Sequence, residues 1–482
     1  MMILVDDIVM MNRWVRFAVL QTLILLTTGK WIVLAALAGV IVGIPVAAFL
    51  LLLDAGSGAV RQWQWYFLLV PLGLFLSSFL VNWLAPDAQG HGTEKVIEAL
   101  HEKEGMMRLR VIPVKMVATL ITLILGGSAG KEGPSAQIGA GVASGVASML
   151  RMTPIDRQRF VQCGISAGFA GVFGTPIAAA LFAAEVLHIG RFSYNRFLPS
   201  LIASYSALIV TRVLGVSHLS YNVPVQIETE IIMLLHMIGF GALLGLMAIL
   251  LVSGLTRTEH LVERIPLWKP LKGALAGLVL VGIVFLTGTT NYLGVGTGVV
   301  DAALDGEAFR GIAPFFKIIT TSLTLGSGGS GGILGPIFFI GATSGNYWAQ
   351  ILGQSVGMFS AIGMVAFLAA AANTPIAAIM MAMELFGVAT GSYAAVACAV
   401  AYLVVGHVSV YPSQIIHQKK PFFMDLEVHQ VEQVFDRRGI INLFRSFFRG
   451  YRDNPGRGLS LEGRTIEEES QGSGDTDDRM DY

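Results

Sequence analysis

Charge is what this 482-residue chain has least of, with only 13% Asp, Glu, Lys and Arg. Soluble domains carry about 25%. A soluble fold of this length needs polar groups to cover its surface, and 54% of this chain is hydrophobic. Its mean hydropathy is +0.67. Neither sign of charge is in excess, with 32 basic and 32 acidic residues, so nothing calls for nucleic acid as a partner. Cysteine is nearly absent: Cys163 and Cys398 lie in apolar segments and make neither a disulfide framework nor a metal-ligand set. His-Glu-x-x-His, a paired intramembrane Asp and a Ser/Lys dyad are all missing, which argues against a membrane enzyme. Neither a metal nor a cofactor is expected. Glycine, by contrast, is abundant at 56 residues and sits within apolar runs. That suits membrane helices that pack backbone to backbone or break partway. The composition predicts an all-α polytopic membrane protein.

Residues 1–30 read as a cytoplasmic N-terminal segment with no cleaved signal peptide, since no small-residue cleavage site follows a short apolar core. Trp31 to Leu53 and Trp65 to Leu84 are each long enough to span. Asp87 to Arg110 is polar, with Glu94, Glu98, Glu102 and Glu104 interleaved with Lys95 and Lys103, and reads mostly as a solvated amphipathic helix. From Val111 onward short apolar segments alternate with Gly and Pro breaks, among them Gly126 to Gly130 and Gly164 to Gly174. Such pieces suggest half-helices that meet inside the bilayer. The longer segments Ile231–Val252 and Leu271–Leu286 interrupt this series. After Gln414 the chain turns polar. Lys419, Lys420, Arg437, Arg438, Arg445 and Arg449 favour a cytoplasmic tail over 415–482, whose acidic end reads as disordered.

The chain repeats itself. Gly127-Ser-Ala-Gly-Lys-Glu-Gly-Pro-Ser-Ala-Gln-Ile-Gly-Ala140 aligns without gaps onto Gly329-Ser-Gly-Gly-Ile-Leu-Gly-Pro-Ile-Phe-Phe-Ile-Gly-Ala342. Thr175-Pro-Ile-Ala-Ala179 recurs as Thr374-Pro-Ile-Ala-Ala378, with Glu185 and Glu384 at the same spacing beyond. Both pairs keep an offset of about 200 residues, which predicts two halves, about 31–215 and 229–414. Interrupted segments in corresponding halves point to a binding site at the membrane midplane. Each repeated word enters a short helix, with Pro134 or Pro336 near its first turn. Several helix N-termini meeting there present unpaired N–H groups and positive dipole ends, which hold an anion without full positive charges. The substrate is expected to be a small anion.

Gly130-Lys131-Glu132-Gly133-Pro134 is no nucleotide-binding loop: Leu125 replaces the first glycine, and Glu132 stands where Ser or Thr must hold Mg²⁺. Glu132 is an ionisable residue in a membrane segment, expensive there and functional by default. Its carboxylate mimics a permeating anion and is neutralised by one proton, so it suits a pH-sensitive gate. His188 and His407 are further candidates for proton handling. Glu185 and Glu384 read as structural acceptors for neighbouring backbone, and Lys115 as either a positive charge near the pore or half of a buried ion pair.

Gly130-Lys131-Glu132-Gly133-Pro134, Gly332-Ile333-Leu334-Gly335-Pro336 and Gly90-His91-Gly92-Thr93 resemble the three anion-pathway signatures of the CLC chloride channel/transporter family. Val114-Lys115, the two Thr-Pro repeats and Tyr411 also match, so the similarity covers roughly Trp31 to Gln414. The resemblance implies a chloride-transporting homodimer in the cell (plasma or inner) membrane, each subunit with its own pore built from two inverted repeats in the 31–414 domain. It makes Glu132 the gate and gives the central anion the backbone amides of Ile333 and Leu334 and the Tyr411 hydroxyl. His91 stands where many members place a serine, and Leu334 where phenylalanine is common. Val186 falls where proton-coupled members carry a proton-accepting glutamate. Valine takes no proton, which leans the reading toward a voltage-gated, channel-like conductor. The alternatives are a proton-coupled chloride exchanger, a fluoride- or nitrate-preferring relative and, more remotely, a cation-coupled transporter of an organic solute.

Overall fold

The computed structural model describes residues 13–218, 221, 230–417 and 420. The expectations for 1–12, for most of the boundary between the repeats and for nearly all of the 415–482 tail lie outside the described residues. Among the described residues there are sixteen helices and one pair of two-residue strands. Helix α1 spans Arg13–Arg61, and α2, Val70–Leu84, follows a 3-10 turn. Then come α3 (Thr93–Glu102), α4 (Val111–Ile124), α5 (Glu132–Met149), α6 (Pro154–Phe173), α7 (Pro176–Glu185) and α8 (Tyr194–Val213). The second half contains α9 (Glu230–Arg264), α10 (Lys269–Thr287), α11 (Thr297–Leu304), α12 (Ala313–Gly326), α13 (Leu334–Leu352), α14 (Val356–Ala371), α15 (Pro375–Phe386) and α16 (Val388–Val404). Strand β1, His188–Ile189, pairs in parallel with β2, Ile415–Ile416.

The two halves match helix for helix, as inverted repeats of one all-α membrane fold. α4 to α7 correspond to α12 to α15, at the offset already present in the sequence. Even the caps recur. The Thr153 hydroxyl accepts from Asp156 N at 3.3 Å ahead of α6, and the Ser355 hydroxyl from Met358 N at 3.4 Å ahead of α14. Pro176 and Pro375 open α7 and α15, where a missing N–H costs nothing. At 10 and 12 residues these two helices reach only about half of the ~30 Å hydrocarbon thickness. Four segments in α1, α2, α9 and α10 are long and apolar enough to cross a membrane. Their outer faces expose large apolar side chains such as Leu52, Leu250 and Phe285, which a lipid environment covers.

Among the described residues α1 already runs from Arg13, well ahead of the apolar run at Trp31. One expectation is corrected. The glycines from Gly164 to Gly171 do not break the chain but lie inside α6. Gly164 and Gly168 recur at a four-residue spacing on one face of it. A Cβ on Gly168 would meet the Ser135 backbone of α5, and one on Gly164 the Gly139 backbone. They let two helices touch main chain to main chain. The break comes at Gly174, whose φ of +75° caps α6.

Candidate functional site

The two repeated words meet at a two-residue bridge. Gly130 N donates to Gly332 O, and Gly332 N donates to Gly130 O, both at 2.7 Å. The exchange sets the first turns of α5 and α13 side by side. α3 joins them through Gly92, whose φ of +82° only glycine adopts readily, and where a Cβ would lie 2.6 Å from Gly133 O. A Cβ on Gly133 would in turn strike His91 O. Three helix N-termini thus converge as the sequence predicts, with Pro134 and Pro336 in the first turns of α5 and α13.

Around the bridge each half reaches into the other at equivalent positions. The Thr119 hydroxyl lies 3.0 Å from that of Ser330, and the Ser128 hydroxyl 3.0 Å from that of Thr321. Glu185, ending α7, accepts from Ile376 N (3.2 Å) and Ala377 N (2.9 Å) at the start of α15. Glu384, in α15, accepts from Ile177 N (3.0 Å) and Ala178 N (2.8 Å) at the start of α7. Each carboxylate caps the other half's short helix, a use of negative charge that its dipole favours. Both are structural, in line with the sequence reading.

Glu132 is the first residue of α5 and only 2% exposed. Its Oε2 accepts from Gly335 N at 3.0 Å, so the carboxylate sits on the N-terminus of α13 where a bound anion would sit. Lys131 is the N-cap of α5, and its charge acts on Glu132. Ile333 is the N-cap of α13 and Leu334 its first residue, both fully buried. At the entry to α3 and on the returning segment after α16, three buried polar atoms make no hydrogen bond of normal geometry among the described residues: His91 Nδ1, Thr93 Oγ1 and Tyr411 Oη, the last two facing each other. Unpaired buried polar groups cost about 1–3 kcal/mol each, which makes this cluster a candidate place for a ligand. The sequence names His91 and Tyr411 as candidates here, but not Thr93.

Lys115 is fully buried and makes no ion pair among the described residues. Its Nζ donates to Ala88 O (3.1 Å) and Gly90 O (2.7 Å), fixing the loop that leads into α3. Lys317, missed in the sequence, holds the equivalent place in α12, donating to Gly294 O (2.8 Å) and Tyr292 O (3.3 Å). Its charge also acts on Glu132. The repeat offset from Lys115 was the signal that could have found it.

Val186 is buried, and its carbonyl accepts from Gln414 Nε2 at 2.9 Å. His188 lies on the β1–β2 clip, its Nδ1 3.2 Å from His417 Nε2 and its ring 5.1 Å from that of His101. Burial, with His101 and His417 beside it, pulls His188 down to about 4, so the ring is neutral at neutral pH. His407 stands in the turn after α16. Neither histidine is one of the groups that meet at the three N-termini. No cluster of metal-ligating side chains occurs among the described residues.

Residues 73–406 match the family model described as voltage gated chloride channel. A chloride/fluoride channel protein of Pseudomonas syringae pv. tomato is 33% identical over 415 residues, covering 84% of this chain and 91% of that one. An H⁺/Cl⁻ exchange transporter of Citrobacter koseri is 29% identical over 361 residues, covering 69% and 74%. Among solved structures, a CLC-type fluoride/proton antiporter superposes with a TM-score of 0.76 at 29% identity, covering 81% of this chain and 98% of that one.

Proposed function

Because the chain belongs to the voltage-gated chloride channel family, we propose that it carries chloride across the membrane with the Glu132 carboxylate as gate, and that it exchanges chloride for protons. The observation that carries this reading is the Glu132–Gly335 hydrogen bond. A carboxylate buried on a helix N-terminus competes with a permeating anion for the same N–H groups, and one proton removes the competition. A gate that opens by protonation takes up a proton in each opening, and relatives similar to this chain are named as proton exchangers and antiporters. Inside the gate the anion is held by the Ile333 and Leu334 amides, with the Tyr411 hydroxyl as donor. The protein works as a homodimer with one pore in each subunit. Channel-like conduction is the second reading, favoured by the apolar side chain of Val186.

Purified protein in liposomes separates the two. With a chloride gradient imposed, exchange drives protons uphill, and the internal pH changes as chloride moves. Chloride flux with no proton movement would leave the channel reading instead. Replacing chloride by fluoride in the same assay tests the anion.

Tyr411→Phe keeps the buried ring and removes one neutral donor, worth about 0.5–1.5 kcal/mol. Chloride affinity measured by isothermal titration is expected to fall, by about tenfold at most. Unchanged affinity would place the hydroxyl outside the coordination shell.

A further inference from the structure

We propose that Glu94 is the carboxylate that takes protons from the inner vestibule and passes them toward Glu132, the task for which Val186 has no chemistry. The proposal rests on the exchange reading above. Glu94 is the second residue of α3, next to Thr93. Its Oε1 accepts from both the backbone N–H of Ser413 (3.0 Å) and the Ser413 hydroxyl, two residues beyond Tyr411. Its Oε2 is buried and has no hydrogen-bond partner among the described residues. One oxygen is therefore anchored, while the other, shielded from solvent, has no donor and is the one left to hold a proton.

The surroundings suit that task. A cavity of about 450 Å³ is lined by His91, Glu94, Lys95, Glu259, Ser409 and Pro412, among others. It lies beside the segment that leads, through β2, to the basic tail, which makes it the cytoplasmic vestibule. On α3 itself, Lys95 is held by Glu98 at 2.6 Å, so its charge is largely committed elsewhere. Across the cavity stands Glu259 of α9, exposed and solvated at the mouth. On the returning segment, Tyr411 meets the side chain of Thr93, the residue next to Glu94, where the charges of Glu94 and Glu132 both act on it, and His101 Nδ1 lies 3.2 Å from Ser413 O. The competing carboxylates are occupied, since both oxygens of Glu185 and of Glu384 already take backbone N–H groups.

The proton balance is simple. A proton from vestibule water binds Oε2 and neutralises Glu94. It passes, through water or the Tyr411 hydroxyl, to the Glu132 carboxylate. Glu132 becomes neutral, leaves the α13 N-terminus and releases the proton on the far side, while Glu94 returns to carboxylate. No other reactant is needed.

Glu94→Gln tests this, because its amide oxygen still accepts from Ser413 but takes no proton. In liposomes with a chloride gradient, proton transport is expected to fall by about a hundredfold or more, the usual loss when a positioned proton-transfer group is removed. Chloride still crosses, so the proton-to-chloride ratio collapses. Glu94→Asp, which keeps a carboxylate, is expected to restore part of the ratio. If the unaltered protein moves chloride without protons, the exchange reading fails and takes this proposal with it. If the unaltered protein exchanges and Glu94→Gln keeps the same ratio, exchange stands and Glu94 is overturned alone. If Glu94→Gln loses both fluxes, Ser413→Ala decides, since it loosens the anchor and keeps the carboxylate. Protons must then still move with chloride, and their loss in Ser413→Ala would reduce the contact to a structural one.

Discussion

Glu132→Gln is expected to make chloride flux independent of external pH and to abolish proton movement. In the native chain the ionised carboxylate holds the Gly335 N–H on the N-terminus of α13. A hydrogen bond to a charged group contributes about 1.5–3 kcal/mol, which corresponds to roughly a ten- to hundredfold hold on the site. Acid removes that hold by neutralising the carboxyl, so native flux rises as external pH falls. Glutamine has nearly the same shape and no charge to lose. Its flux at neutral pH should match the acid-activated native level and stay flat from there. The measurement is chloride efflux from liposomes across a series of external pH values, with internal pH followed in parallel. A variant that kept the native pH profile would remove Glu132 from the gate, whatever the flux itself did.

How much of this was legible in the sequence depended on whether the signal was repeated. The offset between the Gly-Pro words foretold that the helix starts they open would converge, though not the Gly130–Gly332 bridge that joins them, and the Thr-Pro words foretold short helices whose glutamates serve backbone. Lys317 carries the same information as Lys115, yet it sits among apolar residues in α12 with no surrounding word to flag it. The glycines of α6 misled because composition does not distinguish a packing face from a break. Spacing of four residues marks the first, and positive φ, as at Gly174, the second. Glu94 was hidden in a charged stretch that reads as solvated helix. Its neighbours Lys95, Glu98 and Lys103 do form such a face, with partly exposed ion pairs. The partner that sets Glu94 apart, Ser413, lies at the far end of the domain, beyond the reach of any local pattern.

Gly341→Ala should unfold the molecule at a clearly lower temperature and take the flux with it. Gly341 of α13 faces Gly363 of α14, and a Cβ on either would drive into the other's carbonyl oxygen. An added methyl at Gly341 would also lie 2.8 Å from both the Gly363 carbonyl carbon and Phe367 Cβ. Nothing there is the loose end of a side chain, so the helices must part. Overpacking of this kind costs about 1–3 kcal/mol, and more where backbone is the obstacle. The same crossing exists in the first half between Gly139 and Gly164, so the contact belongs to the architecture of both repeats. It also bears on function. Two turns before Gly341, the same helix presents Leu334 and Gly335 to the anion site, and a shift of α13 moves those amides away from Glu132. Gly282→Ala is the control: Gly282 lies in the middle of α10, and a methyl added there meets nothing within 4 Å, so alanine should be neutral or stabilise by about 0.5–1 kcal/mol. Thermal unfolding in detergent, followed by chloride flux in liposomes, reads both variants. Equal midpoints for the two would show that α13 and α14 separate at no cost, and the close crossing would then not be what holds the gate's helix in place.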